Sequence, residues 1–115
     1  MDKKEEIMED CKKARMAIRD TLDVVGGKWK LILISIMREG PVRFNELSKL
    51  AEISPRILSK ELKELEMNDL VERKVIDTRP INVEYSLTPY CKTLDSVINS
   101  MLDWGIQHRK NILAK

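Results

Sequence analysis

The sequence predicts a mainly α-helical chain with one small β-hairpin. Three observations lead there. Apolar residues recur at three-and-four spacing over most of the chain, the mark of helices with one buried face. They alternate with polar residues in only two neighbouring segments, Val71 to Ile76 and Val83 to Leu87, the mark of paired strands. Breaks fall at Gly26-Gly27, Glu39-Gly40-Pro41, Ser54-Pro55 and Thr88-Pro89, which divide the chain into short elements.

Taken in order, Lys3 to Asp20 is a wet helix with a narrow apolar stripe of Ile7, Cys11, Ala14 and Ile18, and a stripe of that kind needs a partner. Thr21 to Val25 continues apolar until Gly26-Gly27 ends the helix. Lys28 to Arg38 is helical with Trp29, Ile32, Leu33, Ile36 and Met37 on one side and is apolar nearly all round, so it belongs in the centre. A short helix over Phe44 to Leu50 spaces Phe44, Leu47 and Leu50 by three. Ser54-Pro55 supplies a hydroxyl cap and a proline at the first helical position, starting a helix that runs to about Asn68. In the hairpin Val71, Val75, Val83, Tyr85 and Leu87 are expected to face inward, with Asp77 to Asn82 as the tip. Thr88-Pro89 repeats the cap-then-proline pattern before a last helix bearing Tyr90, Leu94, Val97, Ile98, Met101 and Leu102 on one face.

Composition narrows the function. A chain of 115 residues, 43% hydrophobic and 35% charged, suits one domain with a real core rather than a disordered tail. The longest apolar stretch, Leu31 to Met37, is far short of the roughly 20 residues that span a bilayer. No secretory signal pattern opens the chain, so a cytoplasmic protein without a membrane partner is expected. Lys plus Arg number 21 against 19 Asp plus Glu, so any nucleic-acid site must come from sorting charges onto one face. Two distant cysteines, Cys11 and Cys91, and a single histidine, His108, argue against a zinc site and against histidine-based catalysis. No metal, no cofactor and no enzymatic activity are expected.

Two short helices, a longer one and a hairpin follow the order of a winged helix-turn-helix. On the helix from Ser54 to Asn68, Arg56, Ser59, Lys60 and Lys63 share an arc of about 100°, while Leu58, Leu62 and Leu65 lie roughly opposite. Cations in line on one face suit a major groove, where they meet phosphates and base edges. A merely solvated face, with Lys60 paired to Glu64 one turn on, is the bland alternative. Arg79 at the hairpin tip has no local packing reason to be cationic and is read as reaching the minor groove or its phosphates. Arg43 and Lys28 near helix starts gain nothing from the helix dipole, and a phosphate placed there accounts for both. Arg73 shares the phase of Val71 and Val75 and is read as the partner of a buried carboxylate, while Lys74 points outward to phosphate.

Several segments in register then carry a resemblance. Leu22-Asp23-Val24-Val25-Gly26-Gly27-Lys28-Trp29-Lys30, Arg43-Phe44-Asn45-Glu46-Leu47, Ile53-Ser54-Pro55-Arg56-Ile57-Leu58-Ser59, Leu62 to Glu66, Val83 to Thr88 and Trp104-Gly105 resemble the HxlR family of winged-helix transcriptional regulators, relatives of the MarR type. The resemblance implies a homodimer held by its first and last helices (residues 3–20 and 89–113) around a DNA-binding core at 21–88, with the wing at about 71–87. Its dimer contacts would be Ile7, Cys11, Ala14, Ile18, Leu94, Val97, Ile98, Met101 and Leu102. It implies a palindromic operator on double-stranded DNA, contacted by Arg43, Ser54, Pro55, Arg56, Ser59, Lys60, Lys63 and Arg79. Some relatives sense oxidants through an N-terminal cysteine. Cys11 stands on the apolar stripe, where a thiol ordinarily packs, yet Lys12, Lys13 and Arg15 beside it could lower its pKa. Two other readings stay open: a winged-helix module that binds protein, and a regulator gated by Cys11 or by a small-molecule or oxidant effector.

Overall fold

Residues 2–76 and 82–114 are described in the computed structural model. They form α1 (Lys3–Val25), α2 (Lys30–Met37), β1 (Val42–Arg43), α3 (Phe44–Ala51), α4 (Pro55–Met67), β2 (Val71–Ile76), β3 (Asn82–Leu87), a 3₁₀ turn (Tyr90–Leu94) and α5 (Asp95–Leu113). The three strands make one antiparallel sheet in the order β1-β3-β2. Val71 pairs with Leu87 and Ile76 with Asn82 along the hairpin, and Val42 pairs with Tyr85 on its other edge.

Local chemistry accounts for most boundaries. The Asp2 carboxylate accepts the Glu5 amide at 2.8 Å, which starts α1. Its end is set by two glycines. A Cβ on Gly26 would lie 2.2 Å from the Leu22 carbonyl oxygen, and Gly27 takes φ 92°, a region open to glycine. The turn between α3 and α4 is closed by Glu52 at φ 57°, with the Ile53 amide on the Ser48 carbonyl and the Ser48 hydroxyl donating to the Ile53 carbonyl. Ser54 caps α4 by accepting the Ile57 amide at 3.3 Å, and Pro55 occupies its first turn.

The core lies between α2, α3, α4 and the sheet. Leu33, Ile34, Met37, Leu47, Leu58, Leu62, Leu65, Leu70 and Val71 are almost wholly buried in it. The leucine seam of α4 is thus turned inward, as its spacing predicts. Helix α1 stands apart: only Val25 at its end is buried, and Ile7, Met8, Met16, Ile18 and Leu22 are exposed.

Several expectations are corrected. In α2 it is Ile34 that is buried, while Ile32 is 41% exposed; an eight-residue helix apolar all round shows no phase in its sequence. Leu50 is exposed because α3 meets the core through Leu47 and Ala51. Val75 is 50% exposed because β2 leaves the core after Val71, and Arg73 is exposed for the same reason. Arg73 has no carboxylate partner among the described residues. Tyr90, expected on the apolar face, is 58% exposed. Ile98, expected at a dimer contact, is 7% exposed and joins the protomer's own core, with Leu94 packed against it. The last helix opens as a 3₁₀ turn before continuing as α5. Strand β1 was not anticipated.

Candidate nucleic-acid interface

The elements converge on one cationic face. With Leu58, Leu62 and Leu65 buried, rigid helix geometry forces Arg56, Ser59, Lys60 and Lys63 outward, and all four are exposed. Ser54 and Pro55 are exposed at the start of the same helix, where they set its entry. Arg56 and Lys63 have no ion-pair partner among the described residues. Lys60 has a loose one: its Nζ is 3.6 Å from Glu64 Oε1, and its side chain remains 72% exposed. The i,i+4 pair of the bland alternative therefore exists, but it covers one cation of three.

Beside α4 the sheet adds more positive charge. Arg43 ends β1 and stands at the cap position of α3 without a side-chain hydrogen bond to that helix. Arg43, Asn45, Lys49, Ser59, Arg73 and Asn82 line a cleft of about 640 Å³ between α3, α4 and the hairpin, with Glu46 as the one acid among the described lining residues. Sequence reading missed Asn45, Lys49, Arg73 and Asn82 here. For Arg73 the usable signal was the six-residue length of β2, too long for both ends to lie on so small a core. Lys74 is exposed on the wing as expected, pairing in register with Glu84. Arg79 lies outside the described residues. Lys28 falls before α2 rather than within it, and its ammonium sits 4.8 Å from the centre of the Trp29 ring.

Two titrating groups border this face. Burial pulls the Lys30 ammonium down, but hydrogen bonds and charge from Glu61 and Glu64 outweigh it and hold its pKa above the ordinary lysine value. The Lys30 hydrogen bond, then its charge, holds Glu64 below the ordinary carboxylate value. Elsewhere, burial and then the Asp95 charge push the Cys91 thiol up, whereas Cys11 is exposed on α1. No group of His, Cys, Asp and Glu among the described residues is arranged to hold a metal ion, and no described helix is long and apolar enough to cross a membrane.

Two helices joined by a tight turn, a basic outer face on the second and an adjoining hairpin define a winged helix-turn-helix transcriptional regulator. Residues 24–112 match the model of the HxlR-like helix-turn-helix family, and the chain belongs to that family. It is 44% identical over 96 residues to the HTH-type transcriptional regulator YdeP of Bacillus subtilis (strain 168), covering 83% of this chain and 75% of that protein. Among solved structures, the redox regulator HypR in its reduced form superposes with a TM-score of 0.79 at 40% identity, covering 86% of this chain and 99% of that one. The reduced form of YodB from B. subtilis gives 0.70 at 34% identity, covering 79% and 90%.

Proposed function

We propose that the chain is a single winged-helix domain that binds a palindromic operator on double-stranded DNA as a homodimer in the cytoplasm. Helix α4 enters the major groove and the wing lies on the adjacent minor groove or its phosphates. Arg56, Ser59, Lys60 and Lys63 face the groove, Arg43 and Lys74 reach phosphates, and Lys28 stays at the margin. The single observation that carries this reading is the exposed cationic arc on a helix whose opposite leucines are buried. A protein-binding module would show a mainly apolar arc, whereas here the exposed apolar residues are Ile57 at its edge and Met67 in the last turn of α4, beside Arg56, Ser59, Lys60 and Lys63. Dimerisation rests on exposed apolar residues at both ends of the chain. Ile7 and Ile18 on α1, and Met101 and Leu102 on α5, are all more than half exposed. Cys11 and Ala14 lie on the same α1 stripe, and Val97 on the same α5 face.

The test is a mobility-shift titration on selected genomic fragments at two salt concentrations, with light scattering for mass. Wild type should bind as a dimer, less tightly at higher salt as counterions are no longer released to advantage. Arg56→Ala should bind the selected sequence roughly 1 to 3 kcal/mol more weakly. Equal, salt-insensitive binding by both proteins would refute the reading.

A thiol-gated version has its own support. Cys11 is exposed, and the similar solved structures include HypR in an oxidised form, at 42% identity and a TM-score of 0.75. Under this version, oxidation of Cys11 changes DNA affinity in wild type and not in Cys11→Ser. Unchanged affinity in an oxidised wild type whose thiol is shown to be lost by mass would remove the gate and leave the regulator.

A further inference from the structure

Helix α2 is apolar except at its first residue and Ser35, yet that first residue, Lys30, is only 7% exposed. Its Nζ lies 2.7 Å from Glu61 Oε2 and 2.5 Å from Glu64 Oε2, so one buried ammonium holds two carboxylates of α4. Buried ion pairs are commonly no more stabilising than apolar packing of the same volume, so stability alone is a weak reason for a lysine here. The position of Glu64 suggests a stronger one. Its second oxygen, Oε1, stands 3.6 Å from the Nζ of Lys60, a member of the cationic arc. Glu64 is shared between a buried ammonium and an exposed one, and the buried one has the shorter contact.

We infer that Lys30 is a positioning residue for DNA binding: it holds Glu64, together with Glu61, as an internal counter-ion and so keeps Lys60 available to a backbone phosphate. This rests on the DNA-binding reading above. Without Lys30 the two acids would lose their compensating charge. Glu64 would close on Lys60, which lies one turn away on the same helix, and each phosphate contact by Lys60 would first have to break that pair.

The test is fluorescence anisotropy of a labelled duplex, over a range of salt, with wild type, Lys30→Met, Glu64→Gln and the double variant. Methionine keeps the apolar stem that packs in the core. Lys30→Gln, which can still hydrogen-bond the carboxylates without carrying charge, is the second variant should Lys30→Met fail to fold. Both single changes at Lys30 are expected to weaken binding about three- to tenfold and to flatten the salt dependence by about one released counterion. Adding Glu64→Gln should restore affinity and slope to within about twofold of wild type, since the acid that blocks Lys60 is gone. Wild-type affinity and slope in the Lys30 variants would overturn the assignment. So would a double variant as weak as Lys30→Met, because the loss would then come from packing. If Arg56→Ala weakens binding while the Lys30 variants do not, only the role of Lys30 falls. If wild type binds no duplex at all, the DNA reading falls and takes this one with it.

Discussion

The Thr88 hydroxyl donates to the Asp69 carbonyl oxygen at 2.7 Å and so ties the end of the wing to the loop after α4. The Thr88 hydroxyl oxygen in turn accepts the Cys91 amide at 3.1 Å, and the Thr88 amide donates to the Leu70 carbonyl at 3.0 Å. Thr88 itself is 3% exposed, so its hydroxyl is largely shielded from water. Asp69 itself sits at φ 60°, a conformation that L residues adopt at a cost and that this contact helps to hold. Thr88→Val keeps the shape and removes the hydroxyl. It should lower the unfolding free energy by about 1 to 3 kcal/mol, the cost of a buried donor or acceptor left unpaired. Thr88→Ser should cost clearly less. Urea melts of the three proteins decide it, and equal midpoints for wild type and Thr88→Val would contradict the account.

Arg73 gives a second prediction, on the DNA side. It lines the cleft with Arg43 and Lys49, is exposed, and meets no carboxylate among the described residues. If the chain binds DNA as proposed, a residue placed this way is expected to meet backbone rather than base edges, so its removal should act alike on every duplex sequence. Arg73→Ala is expected to reduce the slope of log affinity against log salt by about one. Arg73→Lys should retain that slope. A loss confined to one sequence would instead make Arg73 a reader of bases.

How much of this was legible in the sequence differs by element, for physical reasons. The α4 helix was readable because it has one wet face and one dry face, which stamps a period on the residues, and the hairpin because apolar residues alternate along both of its strands. Strand β2 fell at Val71–Ile76 as expected, and α4 ended one residue before Asn68. Strand β1 was not readable, since two residues are too few to show alternation. Arg73 was misplaced because alternation tells which side of a strand a residue occupies and not how far the core extends along it. Lys30 escaped because sequence reading sends charges outward, and only the fold brings Glu61 and Glu64 to it. Ile98 was assigned to a partner because an apolar face on a terminal helix does not say whether its own core or a second chain covers it.

The Lys30 cluster makes stability depend on pH at both extremes. Glu64 is held below its ordinary value by the Lys30 hydrogen bond and charge, so its contribution is present at neutral pH and is lost as the pH drops below about 4.5 and through the folded-state value. Lys30 is held above its ordinary value of about 10.5 because its two carboxylate partners outweigh its burial. Its contribution is complete below that value and is lost as the pH rises through the folded-state pKa. Urea midpoints should therefore decline on the acid side and again on the strongly alkaline side. In Lys30→Met both declines should be shallower, because Glu64 loses the partner that shifts it and no ammonium remains to titrate there. Parallel profiles for the two proteins would rule out the cluster as their source.

The two thiols should behave oppositely. Cys11 is exposed on α1, and the nucleophilic form of a thiol there is open to solvent. Cys91 is 1% exposed, and burial followed by the Asp95 charge pushes its pKa up, which suppresses the thiolate that alkylating agents need. Iodoacetamide at neutral pH, at a dilution where light scattering shows the monomer, should thus label one thiol per folded chain quickly and both after denaturation, as counted by mass. Native Cys11→Ser should take up label only as fast as the region around Cys91 opens, which links its rate to local stability. Thr88 supplies the internal check, since its hydroxyl accepts the Cys91 amide. Thr88→Val should speed Cys91 labelling in the Cys11→Ser background while leaving Cys11 labelling unchanged in the wild-type one. Equal native rates at the two cysteines would mean that Cys91 is not held in the core.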